Sequence, residues 1–169
     1  MKKVITFAMV AFMTLAMSQK AQAIEDPNPK GTVAIGAHVG FLPGIGGSAF
    51  ADFVIVDSWW KGHFTVGGEL LFRHWGGGYY NYNEFAIAPR ACYGLNITKQ
   101  FEVHAGLITG FGLSSWNDTS DHTKGINPGV CWGGVAGLRF FFTENFGVSA
   151  EFQYTGYGPY TNVGVAFKF

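Results

Sequence analysis

Charge is scarce in this chain: eleven basic and eleven acidic residues among 169, with neither sign in excess. No cluster of lysine and arginine is available to neutralise phosphates, which excludes nucleic acid as a partner. Cysteine is scarcer still, two residues, and nothing in the chain has the paired ligand spacing of a metal site. Beyond residue 23 no apolar run approaches the roughly 20 residues that a membrane helix needs. A helical bundle is excluded as well, because each of the 25 glycines would weaken a helix interior by about 1 kcal/mol. What the chain does have is glycine, a 17% share of aromatic residues, and short apolar stretches that alternate with small or polar residues. Any membrane insertion must therefore use strands, which cross with about 9 to 11 residues each.

The amino end reads as an export signal. Lys2 and Lys3 precede an apolar stretch from Val4 to Met17, and the small-residue site Ala21 Gln22 Ala23 follows, predicting cleavage after Ala23. Removal of residues 1–23 takes Lys2, Lys3 and Lys20 but no acid, so the remainder is net negative. Residues 24–30, with Pro27 and Pro29, read as a short exposed lead-in, and 31–169 as one domain.

That domain divides into eight strand-sized segments separated by Gly, Asn, Asp and Pro clusters. The third is the clearest: from His63 to Trp75, Phe64, Val66, Gly68, Leu70 and Phe72 alternate with Thr65, Gly67, Glu69, Leu71 and Arg73. The same period of two runs through Gly31 to Phe41, Glu84 to Leu95, Phe101 to Gly112, Gly129 to Phe142, Phe146 to Tyr154 and the last strand, which ends on Phe169. The second segment, Ser48 to Val56, is apolar on both faces at Phe53 to Val56, and Asp52 sets its register by facing inward. Pro89 cannot donate to a ladder, which predicts a local bulge in the fourth.

Nearly all charges fall on the face opposite the large apolar residues. A soluble lipocalin-like barrel would show the reverse, apolar inside and polar outside. The pattern predicts an all-β chain: an eight-stranded antiparallel up-and-down transmembrane barrel, with lipid outside and a polar lumen. With both ends in the periplasm, the outer loops are Leu42 to Gly47, Gly76 to Asn83, Leu113 to Pro128 and Thr155 to Pro159. Aromatic girdles then comprise Trp75, Tyr79, Tyr80, Tyr82, Tyr157 and Tyr160 above, and Trp59, Trp60, Phe101, Phe140, Phe146 and Phe169 below.

In its export signal, eight alternating strands and terminal aromatic strand the chain resembles the small OmpA/OmpX-type outer-membrane barrels. That resemblance implies a bacterial outer membrane as its location, with lipopolysaccharide among its lipid partners. It also implies that Val163, Val165, Phe167 and Phe169 are read by the barrel-assembly machinery. Larger members add a peptidoglycan-binding domain after the barrel; here the chain stops at Phe169, so wall anchoring is not implied.

The inward set of charged and titratable residues is Asp52, Glu69, Arg73, Arg90, Glu102, His104, Arg139, Glu151 and Lys168. Eight strands enclose a space that side chains just fill, so these residues are expected to pair in a packed lumen rather than line an open pore. A narrow channel is the alternative. Some small outer-membrane barrels modify lipid A, and the residues that such chemistry could use are Ser114 or Ser115, His74, His122, Glu84, Asp118 and Asp121. They lie in separate segments at no spacing that brings them together, so no enzyme activity is expected, and no cofactor or metal. Cys92 and Cys131 share the inward parity but sit near opposite ends, which predicts two buried free thiols. Tyr79, Tyr80, Tyr82 and Trp116 are the candidate recognition residues, presented by loops, for an external ligand that the sequence does not identify.

Overall fold

The computed structural model describes residues 27–41, 44–59, 62–77, 80–118, 123–156 and 158–169. The predicted signal, Tyr79, Tyr157, Trp60, Asp121 and His122 lie outside them. Residues of strict period two cannot sit on one side of a helix, and here they form strands throughout. In chain order these are β1 (Val33–Phe41), β2 (Ile45–Trp59), β3 (Gly62–Gly77), β4 (Tyr80–Asn96), β5 (Phe101–Asp118), β6 (Thr123–Phe141), β7 (Phe146–Thr155) and β8 (Gly158–Lys168). Each pairs antiparallel with its neighbours, and β1 pairs with β8, closing the ring.

Closure leaves every strand with one face to the lumen and one outside, and the alternation decides which. Leu107 and Phe111 stand outside at 74% and 75% exposure, whereas Gln153 and Asn162 inside are fully buried. The outer face is a continuous belt of large apolar side chains that includes Ile35, Phe53, Leu70, Phe85, Leu138, Phe152 and Phe167. An apolar surface of that extent is stable in lipid and not in water.

Asp52 does face inward, as the second segment required, with Phe50 and Val54 beside it. The apolar run that follows resolves through a bulge: the register of β2 on β3 shifts between Val54 and Val56, so Ile55 and Val56 both stand outside. Pro89 makes no bulge. β3 and β4 stay in register across it, and on the β5 side the ladder omits Ala88 and Pro89 and resumes in the same register at Arg90–Ile108. An outward proline with a missing donor costs the sheet a rung without changing its geometry.

Two expectations about the ends need correction. The lead-in is not simply exposed: Pro29 accepts from the Thr32 amide in a turn, and Asn28 is tucked into the barrel mouth at 3% exposure. The outer loops are also far shorter than predicted on one side. β3, β4, β5 and β6 run on through most of residues 76–83 and 113–128, so the segments read as loops are ladder. At that rim β1 and β2 meet at Phe41–Ile45 and β7 and β8 at Thr155–Gly158, so the four central strands rise above them as a wall.

Candidate functional site

Side chains inside the ring form three levels. The middle level is one ionic network. Arg90, on β4, donates through Nε and Nη2 to the two oxygens of Asp52 at 2.7 and 2.6 Å. Its Nη1 reaches Glu69 at 3.3 Å and Glu151 at 3.0 Å. Arg139, on β6, meets Asp52 at 2.6 Å and Glu102 at 3.1 Å. His104 Nε2 lies 3.0 Å from Glu151, and the Gln153 amide donates to both oxygens of Glu69. The Phe50 ring sits under both guanidiniums, 4.4 Å from Arg90 and 4.9 Å from Arg139. Paired guanidinium–carboxylate bonds of this kind are what allows so many charges to lie at membrane depth.

His38, Glu69 and Glu151 bring donor atoms within 4.8 Å of one another, a spacing that a metal ion could use. Those atoms already have partners: His38 Nε2 meets the Ser149 hydroxyl at 2.6 Å, and Arg90 stands between the two carboxylates.

Toward the rim with the short β1–β2 and β7–β8 connections, Arg73 and Glu84 form a separate pair, with Nε and Nη2 at 3.0 and 2.7 Å from Glu84 Oε2. Arg73 also stacks on Tyr160 at 4.9 Å. Tyr160 is 1% exposed inside the lumen and so is not part of a girdle. Its ring fits because Gly40 faces it: a Cβ there would lie 2.0 Å from the ring. At the opposite rim, where both described ends of the chain lie, Asn28 donates to Glu102 at 2.8 Å and to Asn96 at 3.2 Å. Lys168 is half-buried there, over the Phe141 ring and bonded to the Pro27 carbonyl.

Asp52, Glu69, Arg90, Glu102, His104, Arg139 and Glu151 are therefore brought together as the alternation implied, while Arg73 and Lys168 belong to other levels. The same parity places His38, Gln153 and Asn162 inside the ring. Glu84 joins the lumen because β4 begins at Tyr80, before the segment that the sequence pattern marks, and its inward parity sets it against Arg73.

Among the described residues, Ser114, His74 and Glu84 do not come together as a catalytic set. Ser114 faces inward and donates to the Asn127 carbonyl, whereas His74 lies on the outer face against Asn83 at 2.8 Å and Glu84 is held by Arg73. Of the residues expected in the lower girdle, Phe140 and Phe146 join Phe142 and Phe167 in a run of ring contacts, and Trp59 packs on Phe64 and Tyr93. Val163, Val165, Phe167 and Phe169 all face outward from the last strand. Cys92 and Cys131 are buried free thiols.

Of the recognition residues, Tyr80, Tyr82 and Trp116 are ladder residues of the wall and not loop residues. Trp75 and Tyr82 are directly paired across β3 and β4, with ring centroids 4.3 Å apart and planes 22° apart. Tyr80 and Trp116 are near-parallel at 6.3 Å and 8°.

A closed eight-stranded antiparallel ring with an apolar exterior and an ion-paired interior is a transmembrane β-barrel. No protein-family model matches the chain, and no curated protein does. Solved structures do match over most of its length. Ail, the attachment invasion locus protein of Yersinia pestis, is 12% identical and superposes with a TM-score of 0.54, covering 83% of this chain and 100% of its own. The N-terminal β-barrel domain of Pseudomonas aeruginosa OprF is 18% identical, with a TM-score of 0.56 over 83% of this chain and 98% of its own. Neisserial surface protein A is 12% identical, with a TM-score of 0.50 over 81% and 94%. The fold is thus that of the small eight-stranded outer-membrane barrels, as the sequence pattern led one to expect.

Proposed function

We propose that this chain is an integral protein of a bacterial outer membrane, with both chain ends in the periplasm, a packed lumen, and an interaction role carried by its outer rim. The single observation that carries the reading is the wall of β3 to β6, which lifts an ordered sheet beyond the other four strands. Rigid elements that project from a scaffold hold contact residues in place at little entropic cost, which suits adhesion better than transport. The three levels of polar contacts support the packed lumen, since an eight-stranded interior is about the width that side chains fill. Export through a signal cleaved after Ala23, delivery by the assembly machinery through the Val163 to Phe169 strand, and a setting among lipopolysaccharide complete the proposal. Ail, with which the chain shares its fold, is an attachment invasion locus protein, which is in keeping with the reading.

The test is to express the chain in a non-adherent Gram-negative host and count bacteria bound to cultured cells. A matched variant has the wall cut back by joining Arg73 to Glu84 and Leu113 to Gly129 through tight turns. Adherence conferred by the full chain and lost in the variant, at equal surface levels, supports the role; equal adherence by both, or none by either, refutes it.

A further inference from the structure

Four lumen-facing positions of β7 and β8 form a block in the ladder, with Glu151 opposite Asn162 and Gln153 opposite Tyr160. None of the four is more than 2% exposed. Glu151 is held by Arg90 and His104, and the Gln153 amide nitrogen by Glu69. The rest of the block is unpaired. Gln153 Oε1, the Tyr160 hydroxyl and both polar atoms of the Asn162 amide have no hydrogen-bond partner. The Tyr160 ring lies across Gly40, which is the ladder partner of Asn162, so its hydroxyl stays beside that amide. Buried polar atoms are nearly always paired, and several orphans on adjacent side chains call for a guest between them.

Charge around the block is out of balance in the same sense. In the middle level the carboxylates of Asp52, Glu69, Glu102 and Glu151 face only the guanidiniums of Arg90 and Arg139. Arg73 is matched by Glu84, and Lys168 at the mouth adds a single positive charge. Among the described lumen residues, carboxylates therefore outnumber permanent cations. Protonating His38, His63 or His104 would offset the charge but give the orphaned oxygens no partner. Water alone would partner the oxygens but leave the charge. A hydrated cation does both. The free donors are two amide carbonyls and a phenol beside a carboxylate, all oxygen, whereas His38 Nε2 is already engaged by Ser149. Such a set suits a hard ion and not zinc or copper, and calcium accepts amide carbonyls, carboxylates and water in a flexible shell where magnesium demands a strict octahedron.

We infer that the lumen carries a site for one calcium ion between β7 and β8, with Gln153 Oε1, Asn162 Oδ1 and the Tyr160 hydroxyl as ligands and the Glu151 carboxylate as the neighbouring charge. The Asn162 amide nitrogen donates to water in the shell of the ion. Bound there, the ion ties the last two strands together from inside and offsets the carboxylate excess of the middle network. The site is independent of the outer rim and of any adhesive role.

The experiment refolds the full chain into detergent at neutral pH with calcium, magnesium, sodium or potassium chloride, or with a chelator alone, so that the lumen fills as the ring closes. Free ion is removed by gel filtration, bound metal is counted by mass spectrometry, and the urea midpoint is measured. The proposal predicts one equivalent of calcium retained and a higher midpoint than in the chelator-refolded protein. Asn162→Ala and Gln153→Met should weaken calcium binding at least about tenfold. Asn162→Asp, which adds a carboxylate to the shell, should tighten it, a gain that a merely structural role for the amide would not give. Glu144→Gln, in the exposed turn before β7, leaves binding unchanged. Variants are compared only where they keep the unboiled gel mobility of the parent; if none does, retention and midpoint of the parent decide. No calcium retained by the parent, or retention that Asn162→Ala and Gln153→Met leave intact, overturns the site. So does a midpoint that follows pH and ignores every added ion, which would assign the charge balance to protons on the histidines. Preferential retention of magnesium, sodium or potassium overturns the assignment to calcium.

Discussion

Asp52 accepts from two arginines on different strands, with both of its oxygens engaged within 2.7 Å. Removing one member of such a buried set leaves the others uncompensated, at a cost of about 3 to 5 kcal/mol. Arg90→Met should therefore lower the urea-unfolding free energy of the refolded barrel by that amount, because it exposes Asp52, Glu69 and Glu151 to one another at once. A loss under about 1 kcal/mol would show that water or relaxation screens the lumen far more than its packing implies. The inward parity of all these residues is legible in the sequence, since a strand of period two assigns each side chain to a face. Their partners are not legible, because a partner across the ring depends on the stagger of strands, which alternation does not encode. That is why Arg73 and Lys168 share a parity with Arg90 and yet lie at other heights.

Stagger is a property of whole strands, and it separates the two thiols. Cys92 pairs with Gly106, which pairs with Val135, four residues along β6 from Cys131. At roughly 3.3 Å per residue that offset alone is about 13 Å, well beyond bridging distance. Oxidation followed by non-reducing electrophoresis and thiol titration of the unfolded chain should find two free thiols and no intramolecular disulfide; a reductant-sensitive mobility shift would contradict the register. The segment before β1 makes a second prediction. Asn28→Ala withdraws the donors to Glu102 and Asn96, so unfolding free energy should fall by about 1 to 3 kcal/mol. No change in the urea midpoint would mean that the plug does not hold in solution. This contact was invisible in the sequence, where two prolines and an asparagine read as exposed connector. The wall was hidden for a related reason: Gly76 to Asn83 and Asn117 to Pro128 are rich in turn-forming residues, and pairing overrides that local preference once a neighbouring strand is already in place.

At the level of the whole molecule the inverted pattern, oily outside and ionic inside, decides the environment. The eight strands and the faces of most of their residues were readable because lipid on one side and a crowded lumen on the other enforce the alternation, which breaks at the β2 bulge, where Ile55 and Val56 both stand outside. Even Pro89 conforms, facing outward and costing one rung. Closure itself rests on β1 meeting β8 over Ala34–Lys168 to Phe41–Thr161, the pairing of greatest sequence separation. A closed barrel with no free edge resists detergent until it is heated, whereas an open sheet does not. The most direct test compares boiled and unboiled samples of the chain, inserted in membranes, on a detergent gel, for the parent and for a variant lacking residues 163–169. A boiling-dependent mobility change in the parent that is absent in the variant is the predicted result. A parent with the same mobility in both samples, or one recovered as soluble protein, would contradict the transmembrane barrel.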